Sequence, residues 1–295
     1  MRALILLLYL LISIPAFSQQ EPLSSMFWNN YSVVNPANSG FDYKHFATVQ
    51  GRNQWTGYEG NPKTAWVNYD IKIDAINSGS GIYYSYDEIG NLSTNVILVN
   101  YNYQFTIREN HHLGLGISFG YQEQKIEDNW NPNNQFIDPA IPGNSTGSTF
   151  NAAVGLKYRF KKFCFGLSVK NLTDPSYGHE GTHWQFEYPN YRASYILSTY
   201  SIKLSESFDL EPGIFFRSDI TELSMDVNIR SIFKEKVWLG SSLRGNSTNF
   251  SAISAMAGVV FWKKLQLGFA TDFSTGRFSS YDGGTYELYL SFGIE

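Results

Sequence analysis

The sequence predicts an all-β protein, a transmembrane antiparallel β-barrel of about 14 strands preceded by an irregular N-terminal segment. Three observations lead to this prediction. Apolar residues alternate with small or polar ones over most of the chain, tight charged connections alternate with long polar ones, and an export signal begins the sequence. A period of two places successive side chains on opposite faces of a strand. Short turns at one end and longer loops at the other are typical of an outer-membrane barrel.

The clearest alternation lies in a hairpin at 150–171, around the turn Lys161-Lys162. The first arm carries bulky apolar residues at every second position: Phe150, Ala152, Val154, Leu156, Tyr158 and Phe160. Between them stand Asn151, Gly155, Lys157 and Arg159, and the second arm repeats the pattern. We predict that the apolar face contacts lipid and that the polar face lines the lumen.

The same pattern predicts the other strands at 45–53, 64–74, 81–86, 97–105, 113–121, 191–204, 208–216, 222–230, 236–244, 251–262, 265–273 and 285–294. In the strand at 191–204 the phase changes at Tyr195-Ile196-Leu197, which predicts a bulge. The longest irregular stretches are predicted at 123–149 and 172–190. An even strand number places both chain ends on one side of the membrane, together with the tight turns.

Aromatic residues cluster where strands meet the tight turns, and we expect an interfacial girdle there: Tyr103, Phe105, Tyr158, Phe160, Phe163, Phe233, Trp238 and Trp262. A soluble β-sandwich would also alternate, but it usually has fewer strands and more charge on its open face. Here 43% of residues are hydrophobic, 17% are aromatic and only 16% are charged. That balance favours the membrane barrel over the sandwich.

Composition also limits the possible partners. The formal net charge of −4 gives no basic patch for nucleic acid, so no nucleic-acid partner is expected. The single Cys164 excludes an intrachain disulfide framework. No stretch after the N-terminus reaches about 18 consecutive apolar residues, so no helical membrane span is predicted.

The N-terminus predicts export. Arg2 precedes a short apolar run that ends at small residues including Ala16 and Ser18, so 1–18 is read as a signal peptide cleaved before Gln19. Residues 19–44 show no sustained period, and we expect them to lie beneath the barrel in the periplasm or to fold into it as a plug. Residues 45–295 form the predicted outer-membrane β-barrel, so the expected localisation is the bacterial outer membrane.

One run resembles a catalytic motif. His179-Glu180-Gly181-Thr182-His183 matches the H-E-x-x-H signature of zinc proteases, which needs a helix to bring both imidazoles to one face. Here the run contains a glycine and lies in a long loop, so we interpret it as a solvated loop, with incidental metal binding as an alternative. No other set of His, Ser or Asp residues forms a recognisable site. The sequence predicts no enzyme, no cofactor and no catalytic or metal-binding residues.

A segment near the start of the predicted barrel does stand out. Residues 52–64 read R-x-Q-W-x-G-x-x-G-x-P-x-T, residues 35–40 read N-P-A-x-x-G, and residues 20–27 read Q-x-P-x-x-S-x-φ, where φ is apolar. Together they resemble the PorP/SprF family of outer-membrane proteins from the type IX secretion and gliding systems of Bacteroidetes. The residues that carry the two central motifs, expected to be structural, are Asn35, Pro36, Gly40, Arg52, Gln54, Trp55, Gly57, Gly60 and Pro62.

The resemblance implies a non-enzymatic barrel in outer-membrane lipid. It implies two protein partners: a periplasmic peptidoglycan-binding protein, and a secreted or surface adhesin client with a C-terminal sorting domain. The expected function is a platform that links the two. A 14-stranded barrel is wide enough to conduct unless it is filled, so we predict that the N-terminal segment or long loops close it.

One other function remains open from the residues, and a second is disfavoured by them. A porin or substrate-specific channel would need charged rings on the luminal face, and the candidates there are Arg159, Lys170, Arg217 and Arg230. A fatty-acid transporter would need an apolar lumen, whereas the luminal phase is rich in Asn, Ser and Gly.

Overall fold

A computed structural model describes residues 21–22, 24–127, 144–180, 185–219, 223–246, 249–275, 279 and 282–294. The strands before the longest gap are β1 (His45–Asn53), β2 (Lys63–Ile73), β3 (Ser78–Ile89), β4 (Leu92–Arg108) and β5 (His111–Ile126). The next group is β6 (Ser145–Phe160), β7 (Phe163–Lys170), β8 (Ser176–Glu180), β9 (Gln185–Pro189), β10 (Ala193–Tyr200) and β11 (Ile202–Ser205). The last are β12 (Phe208–Ser218), β13 (Leu223–Phe233), β14 (Val237–Asn246), β15 (Phe250–Phe261), β16 (Leu265–Ser274) and β17 (Thr285–Ile294).

The strands close into an antiparallel barrel. β1 pairs with β17 along its whole length, with Thr48 opposite Ser291. β10 and β11 pair with the same strand, β12, and together make one crossing interrupted at Ser201. The described residues therefore form a closed barrel of 14 crossings, with β8 and β9 as a separate hairpin. The predicted all-β barrel of about 14 strands is confirmed.

The side chains are arranged inside out relative to a soluble protein. Along β1, Val49 is 54% exposed on the outer surface, while its neighbours Thr48 and Gln50 are each 2% exposed. Phe150 on β6 is 75% exposed. An apolar outer surface around a polar interior is the arrangement that lipid favours and a two-sheet sandwich lacks. Among the described residues, no helix has both the length and the apolar character to cross a bilayer.

The two ends of the barrel differ. At one end, here called the tight-turn end, strands join through short turns whose residues adopt positive φ, such as Asn110 at 64° and Lys161 at 52°. Two-residue hairpin turns require this left-handed conformation. Both ends of the barrel sequence, His45 and Ile294, also meet there. The opposite end carries the longer connections and is called the long-loop end.

The predicted bulge at Tyr195-Ile196-Leu197 is wrong. Tyr195 and Leu197 both face inward and Ile196 faces outward, so the alternation is regular. The irregularity lies further on, in the break at Ser201 and a register shift between Lys203 and Ser205. The prediction failed because Tyr195 and Leu197 pack against aromatic side chains inside the lumen, among them Phe27, and do not face lipid.

Two other sequence predictions need correction. Trp238 belongs to the lumen, only 2% exposed and packed with Met26 and Met256, and not to an interfacial girdle. The stretch 172–190 is not wholly irregular, because β8 and β9 lie within it. The stretch 123–149 is also shorter than expected, since β5 extends to Ile126 and β6 begins at Ser145; residues 128–143 lie outside the described part of the chain.

Candidate functional site

The lumen is occupied by the N-terminal segment, residues 21–44 without Leu23, here called the plug. It enters near the long-loop end, where Glu21 contacts Lys170 at the end of β7. It leaves at the tight-turn end, where the Lys44 backbone N–H donates to the Ile294 carbonyl at 2.7 Å. Two 3₁₀ turns, Phe27–Val33 and Pro36–Asn38, compact the chain between these points. The plug therefore runs the length of the barrel.

The second turn starts with the N-P-A motif. The Asn35 side chain caps the turn by accepting from the Ala37 N–H at 2.9 Å, and Pro36 occupies the first turn position, where its missing N–H costs nothing. The amide of Asn35 also donates to the Leu156 carbonyl on β6 at 3.0 Å. One residue thus shapes the plug and attaches it to the wall. Gly40 follows with φ of 63°, and its carbonyl accepts from Gln104 at 2.8 Å.

Luminal glycines make room for the plug backbone. A Cβ placed on Gly79 of β3 would lie 2.0 Å from the Ser39 carbonyl oxygen, and one on Gly116 of β5 would lie 2.2 Å from the Ala37 nitrogen. No side chain fits at such distances. Gly79 and Gly116 are therefore positions where the wall and the plug backbone touch.

Arg52 is the centre of a buried charge cluster. Its guanidinium donates to Asp272 at 2.7 Å and to Glu287 at 3.0 Å, and all three side chains are 4% exposed or less. It also donates to the Ser25 hydroxyl of the plug at 3.1 Å. The long-range pairing is possible because barrel closure places β1 beside β17, with β16 next in order.

A second arginine completes the cluster. Arg244 donates to Asp226 at 2.9 Å, to Asp272 at 3.3 Å and to Ser25 at 3.3 Å. Glu287 in turn accepts from the backbone N–H groups of Ser25 and Met26, at 3.0 and 3.1 Å. Three carboxylates and two guanidiniums therefore surround the start of the plug. A buried charge that loses its partner is strongly destabilising, so each member of the cluster depends on the others to hold the start of the plug in place.

Each of the four luminal cations singled out from the sequence contacts the plug. Arg159 donates to the carboxylate of Asp42 at 2.7 Å, and Lys170 donates to that of Glu21 at 2.7 Å. Arg217 donates to the Glu21 carbonyl at 2.6 Å. Arg230 donates to the Asn29 side chain at 3.3 Å and also pairs with Glu211. These cations hold the plug and do not form an open charged ring.

The two plug carboxylates are stabilised in their charged form. Burial by itself would raise the pKa of Asp42, but the adjacent Lys157 and Arg159 outweigh burial and hold that pKa below its ordinary value. Burial also opposes ionisation of Glu21, and Lys170 and Tyr195 outweigh it, so the pKa of Glu21 is likewise lowered. Both ends of the plug are therefore fixed by ion pairs.

The remaining motif residues form the first long-loop connection. The Gln54 N–H donates to the Pro62 carbonyl at 2.9 Å, and the Trp55 N–H donates to Thr285 at 3.2 Å. Gly60 adopts φ of 70°, and its carbonyl accepts from the Gly90 N–H at 2.9 Å. Gly57 lies close to Gly283, since a Cβ placed on Gly283 would be 2.8 Å from the Gly57 nitrogen. The first long-loop connection therefore contacts the β3–β4 connection through Gly60 and the β16–β17 connection through Gly57.

The H-E-x-x-H run does not form a helix where it is described. His179 and Glu180 lie in β8, and His183 lies outside the described residues. His179 is fully buried and contacts Ser145 at 3.1 Å and Gln124 at 3.1 Å, while the Tyr177 hydroxyl donates to Gln122 at 2.6 Å. The β8–β9 hairpin is therefore folded over the long-loop end. Within the described ranges, no three His, Cys, Asp or Glu side chains are grouped as a metal site requires.

Sequence reasoning did not find the other members of the charge cluster around Arg52. Asp272, Glu287, Arg244 and Asp226 each occupy a polar position in an alternating strand, which predicts that they face the lumen. A local pattern cannot indicate which luminal residues meet. The sequence did carry one signal, since these charged residues occupy positions that face the interior of the barrel. Buried charges are rare unless they are paired.

The comparisons with known proteins agree with this architecture. The sequence model of one family, described as Type IX secretion system membrane protein PorP/SprF, matches residues 16–292. The chain belongs to the PorP/SprF family. The search of curated proteins found no match. The family resemblance seen in the sequence is confirmed, and so are the outer-membrane localisation and the all-β barrel.

Solved structures show the same fold at very low identity. The Acinetobacter baumannii outer membrane protein Omp33 has a TM-score of 0.50 and 9% identity over 87% of this chain and 100% of its own. The CymD monoaromatic hydrocarbon channel has a TM-score of 0.51 and 8% identity over 89% and 92%. The TodX deltaS2S3 mutant monoaromatic hydrocarbon channel has a TM-score of 0.50 and 10% identity over 89% and 93%. This PorP/SprF protein is thus an outer-membrane barrel that family membership associates with type IX secretion machinery and membrane lipid.

Proposed function

We propose that this barrel is a closed, non-enzymatic platform of the type IX secretion and gliding machinery. In this proposal it ties a periplasmic peptidoglycan-binding protein to the secretion or surface attachment of a client, such as an adhesin with a C-terminal sorting domain. The tight turns face the periplasm, as is usual for bacterial outer-membrane barrels, and the long loops face the surface client. Residues 1–18 act as the export signal that delivers the chain.

The occupied lumen is the observation that carries the proposal. Arg159, Lys170, Arg217 and Arg230, the cations that would line a selective pore, all contact the plug. A channel needs unpaired polar groups along an open path, since conduction requires sites that ions can enter and leave. Here the same groups are used to hold protein inside the barrel, which favours a platform over a porin.

In this view the family-motif residues act structurally. Asn35, Pro36 and Gly40 shape the plug, and Arg52 anchors it. Gln54, Trp55, Gly57, Gly60 and Pro62 organise the first long-loop connection, a set that lies beside the last strand rather than around a ligand cavity.

Single-channel recording in planar bilayers tests the closed state. We expect the full mature chain to show little or no steady conductance, and a variant lacking residues 19–41 to show large steady openings once it has folded. Large steady conductance from the intact chain would support the alternative, a porin or substrate-specific channel. Heat-modifiable gel mobility confirms that both proteins are folded before they are recorded.

Co-purification tests the platform role. The tagged barrel, extracted in mild detergent after cross-linking in cells, is expected to retain a protein with a peptidoglycan-binding domain and a client with a C-terminal sorting domain. A barrel from an unrelated family, tagged in the same cells, is the control. Recovery of neither class above that control would contradict the proposal.

A further inference from the structure

A cavity of about 500 Å³ lies inside the barrel at the tight-turn end, between the plug and the wall. Its size is in the range of about 300–1,000 Å³ seen for pockets that hold substantial ligands. Part of its wall is the base of the plug, where Tyr43 stacks on Phe46 with 4.8 Å between ring centroids. The cavity therefore combines an aromatic surface with an opening toward one side of the membrane.

The charged groups around this cavity are mainly cationic. Among the described residues that line it, five are basic and three are acidic. The basic ones are Lys157, Arg159, Lys161, Lys162 and Arg230, and the acidic ones are Asp42, Asp70 and Glu211. The three acids are engaged by neighbours: Asp42 pairs with Lys157 and Arg159, Glu211 pairs with Arg230, and Asp70 accepts from Ser32 and Asn68. The excess positive charge is left on the turn lysines.

Lys161 and Lys162 form the β6–β7 turn and are both exposed at the rim of the cavity. The cavity lining that includes the two lysines also contains the aromatic rings of Phe41, Tyr43 and Phe163. An exposed lysine pair above an aromatic cavity offers charge to a carboxylate and apolar contact to the chain that carries it.

We propose that this cavity is a docking site for an acidic peptide segment of a periplasmic protein, with Lys161 and Lys162 binding its carboxylates. The inference rests on the proposed platform function, because it assumes that the tight-turn end faces a periplasmic partner. The lining residues on the plug and on the inner faces of the strands, such as Asp42, Lys157 and Arg230, are out of reach of a phospholipid on the outer surface of the barrel, so a lipid headgroup would meet only the exposed turn lysines and would not fill the cavity. The cavity is also much larger than a single inorganic anion requires.

The chain offers a matched control for this site. Lys263 and Lys264 form a second exposed lysine pair, on the β15–β16 turn at the same end of the barrel. Neither lines the cavity, and Lys263 pairs with Glu235 at 3.2 Å on the surface. A diffuse attraction between acidic groups and the basic turns would depend on both pairs, whereas docking in the cavity depends on the first.

The experiment measures binding of a fluorescent peptide of alternating glutamate and tyrosine, about eight residues long, to the full barrel in detergent. The same peptide with lysine in place of glutamate is the control ligand. We expect the glutamate peptide alone to bind, with affinity that falls as salt is raised. The double variant Lys161→Glu/Lys162→Glu should weaken binding at least about tenfold, and Lys263→Glu/Lys264→Glu should change it less than about twofold, as expected for a local charge contact.

Three results would contradict the proposed docking site. These are no binding of the glutamate peptide to the unmodified barrel, equal losses in the two double variants, and complete displacement of the peptide by short-chain phosphatidylglycerol, which would assign the lysines to lipid. If Lys161→Glu/Lys162→Glu does not show folded gel mobility, Lys161→Gln/Lys162→Gln replaces it, with an intermediate loss expected. Absence of peptide binding in a barrel that still co-purifies with its partner refutes the site alone, whereas large steady conductance refutes the platform.

Discussion

Arg52 donates a hydrogen bond to the hydroxyl of Ser25 at 3.1 Å, and this contact joins the first barrel strand to the N-terminal plug. The two residues belong to separate stretches of family-like sequence, 52–64 and 20–27. Their contact gives those stretches a common structural purpose. The same guanidinium also binds Asp272 and Glu287, so the plug is tied to both sides of the seam where the barrel closes.

Replacement of Arg52 should be strongly destabilising. Arg52→Ala leaves the buried carboxylates of Asp272 and Glu287 short of a partner, and breaking a buried ion pair from one side costs about 3–5 kcal/mol. We expect a lower unfolding temperature in heat-modifiable gel mobility. Arg192→Ala is the control, because Arg192 and Asp174 pair on the surface with more than half of each side chain exposed. Equal losses for the two variants would contradict the anchoring role.

A methyl group at Gly79 should displace the plug. The Cβ of Gly79→Ala would lie 2.0 Å from the Ser39 carbonyl oxygen, so the plug backbone must move. Overpacking of this kind typically costs about 1–3 kcal/mol. We expect transient conductance in planar bilayers, above the level of the unmodified barrel.

Gly51→Ala is the matched control for that experiment. A Cβ at Gly51 meets no atom within 4 Å, and the residue is exposed on the outer surface of β1. Its conductance and stability should stay unchanged. If Gly79→Ala shows no added conductance and unchanged stability, the contact with Ser39 does not hold the plug in place.

Stability should depend on pH through Asp42. Because Lys157 and Arg159 hold its pKa below the ordinary value, its ionised form stabilises the folded state. That contribution is fully present above the unfolded pKa of about 3.9 and is lost as pH falls through the lower pKa of the folded protein. Asp42→Asn removes it. The difference in urea midpoint between the two proteins should therefore be largest from pH 5 to 6 and shrink below about pH 4.

Glu206→Gln serves as the comparison for that titration. The Glu206 side chain is 92% exposed in its pair with Lys203, so it adds little to stability at any pH. A difference between Asp42→Asn and the unmodified barrel that stays constant from pH 6 to pH 3 would contradict the pKa argument.

The β8–β9 hairpin should loosen when the buried hydroxyl of Tyr177 is removed. In Tyr177→Phe the hydrogen bond to Gln122 at 2.6 Å is lost, at a cost of about 1 kcal/mol. We expect externally added protease to cleave within 176–189 about fivefold faster, since about 1 kcal/mol shifts an opening equilibrium by that factor. Glu187→Gln, which changes an exposed residue of the same hairpin, should leave the rate unchanged. Equal cleavage rates in all three proteins would show that Tyr177 does not hold the hairpin down.

Local physical chemistry determined the strands of this protein. Each crossing has one face in lipid and one in the lumen, so its sequence must alternate, and β1 occupies the residues that alternation indicates, 45–53. The tight turns could be predicted for a similar reason, since their length and charge depend on a few adjacent residues. Where the lumen holds apolar groups, as at Tyr195, Leu197 and Trp238, the same rule failed.

Only the tertiary structure decided what the luminal side chains do. Arg52 is separated by 220 residues from Asp272 and by 235 from Glu287, and they meet because the closing pair of strands brings them together. The path of the plug, and the glycines that give it space, likewise depend on strand order and register. Contacts of this kind arise from closure of the whole barrel, and no period within a single strand encodes them.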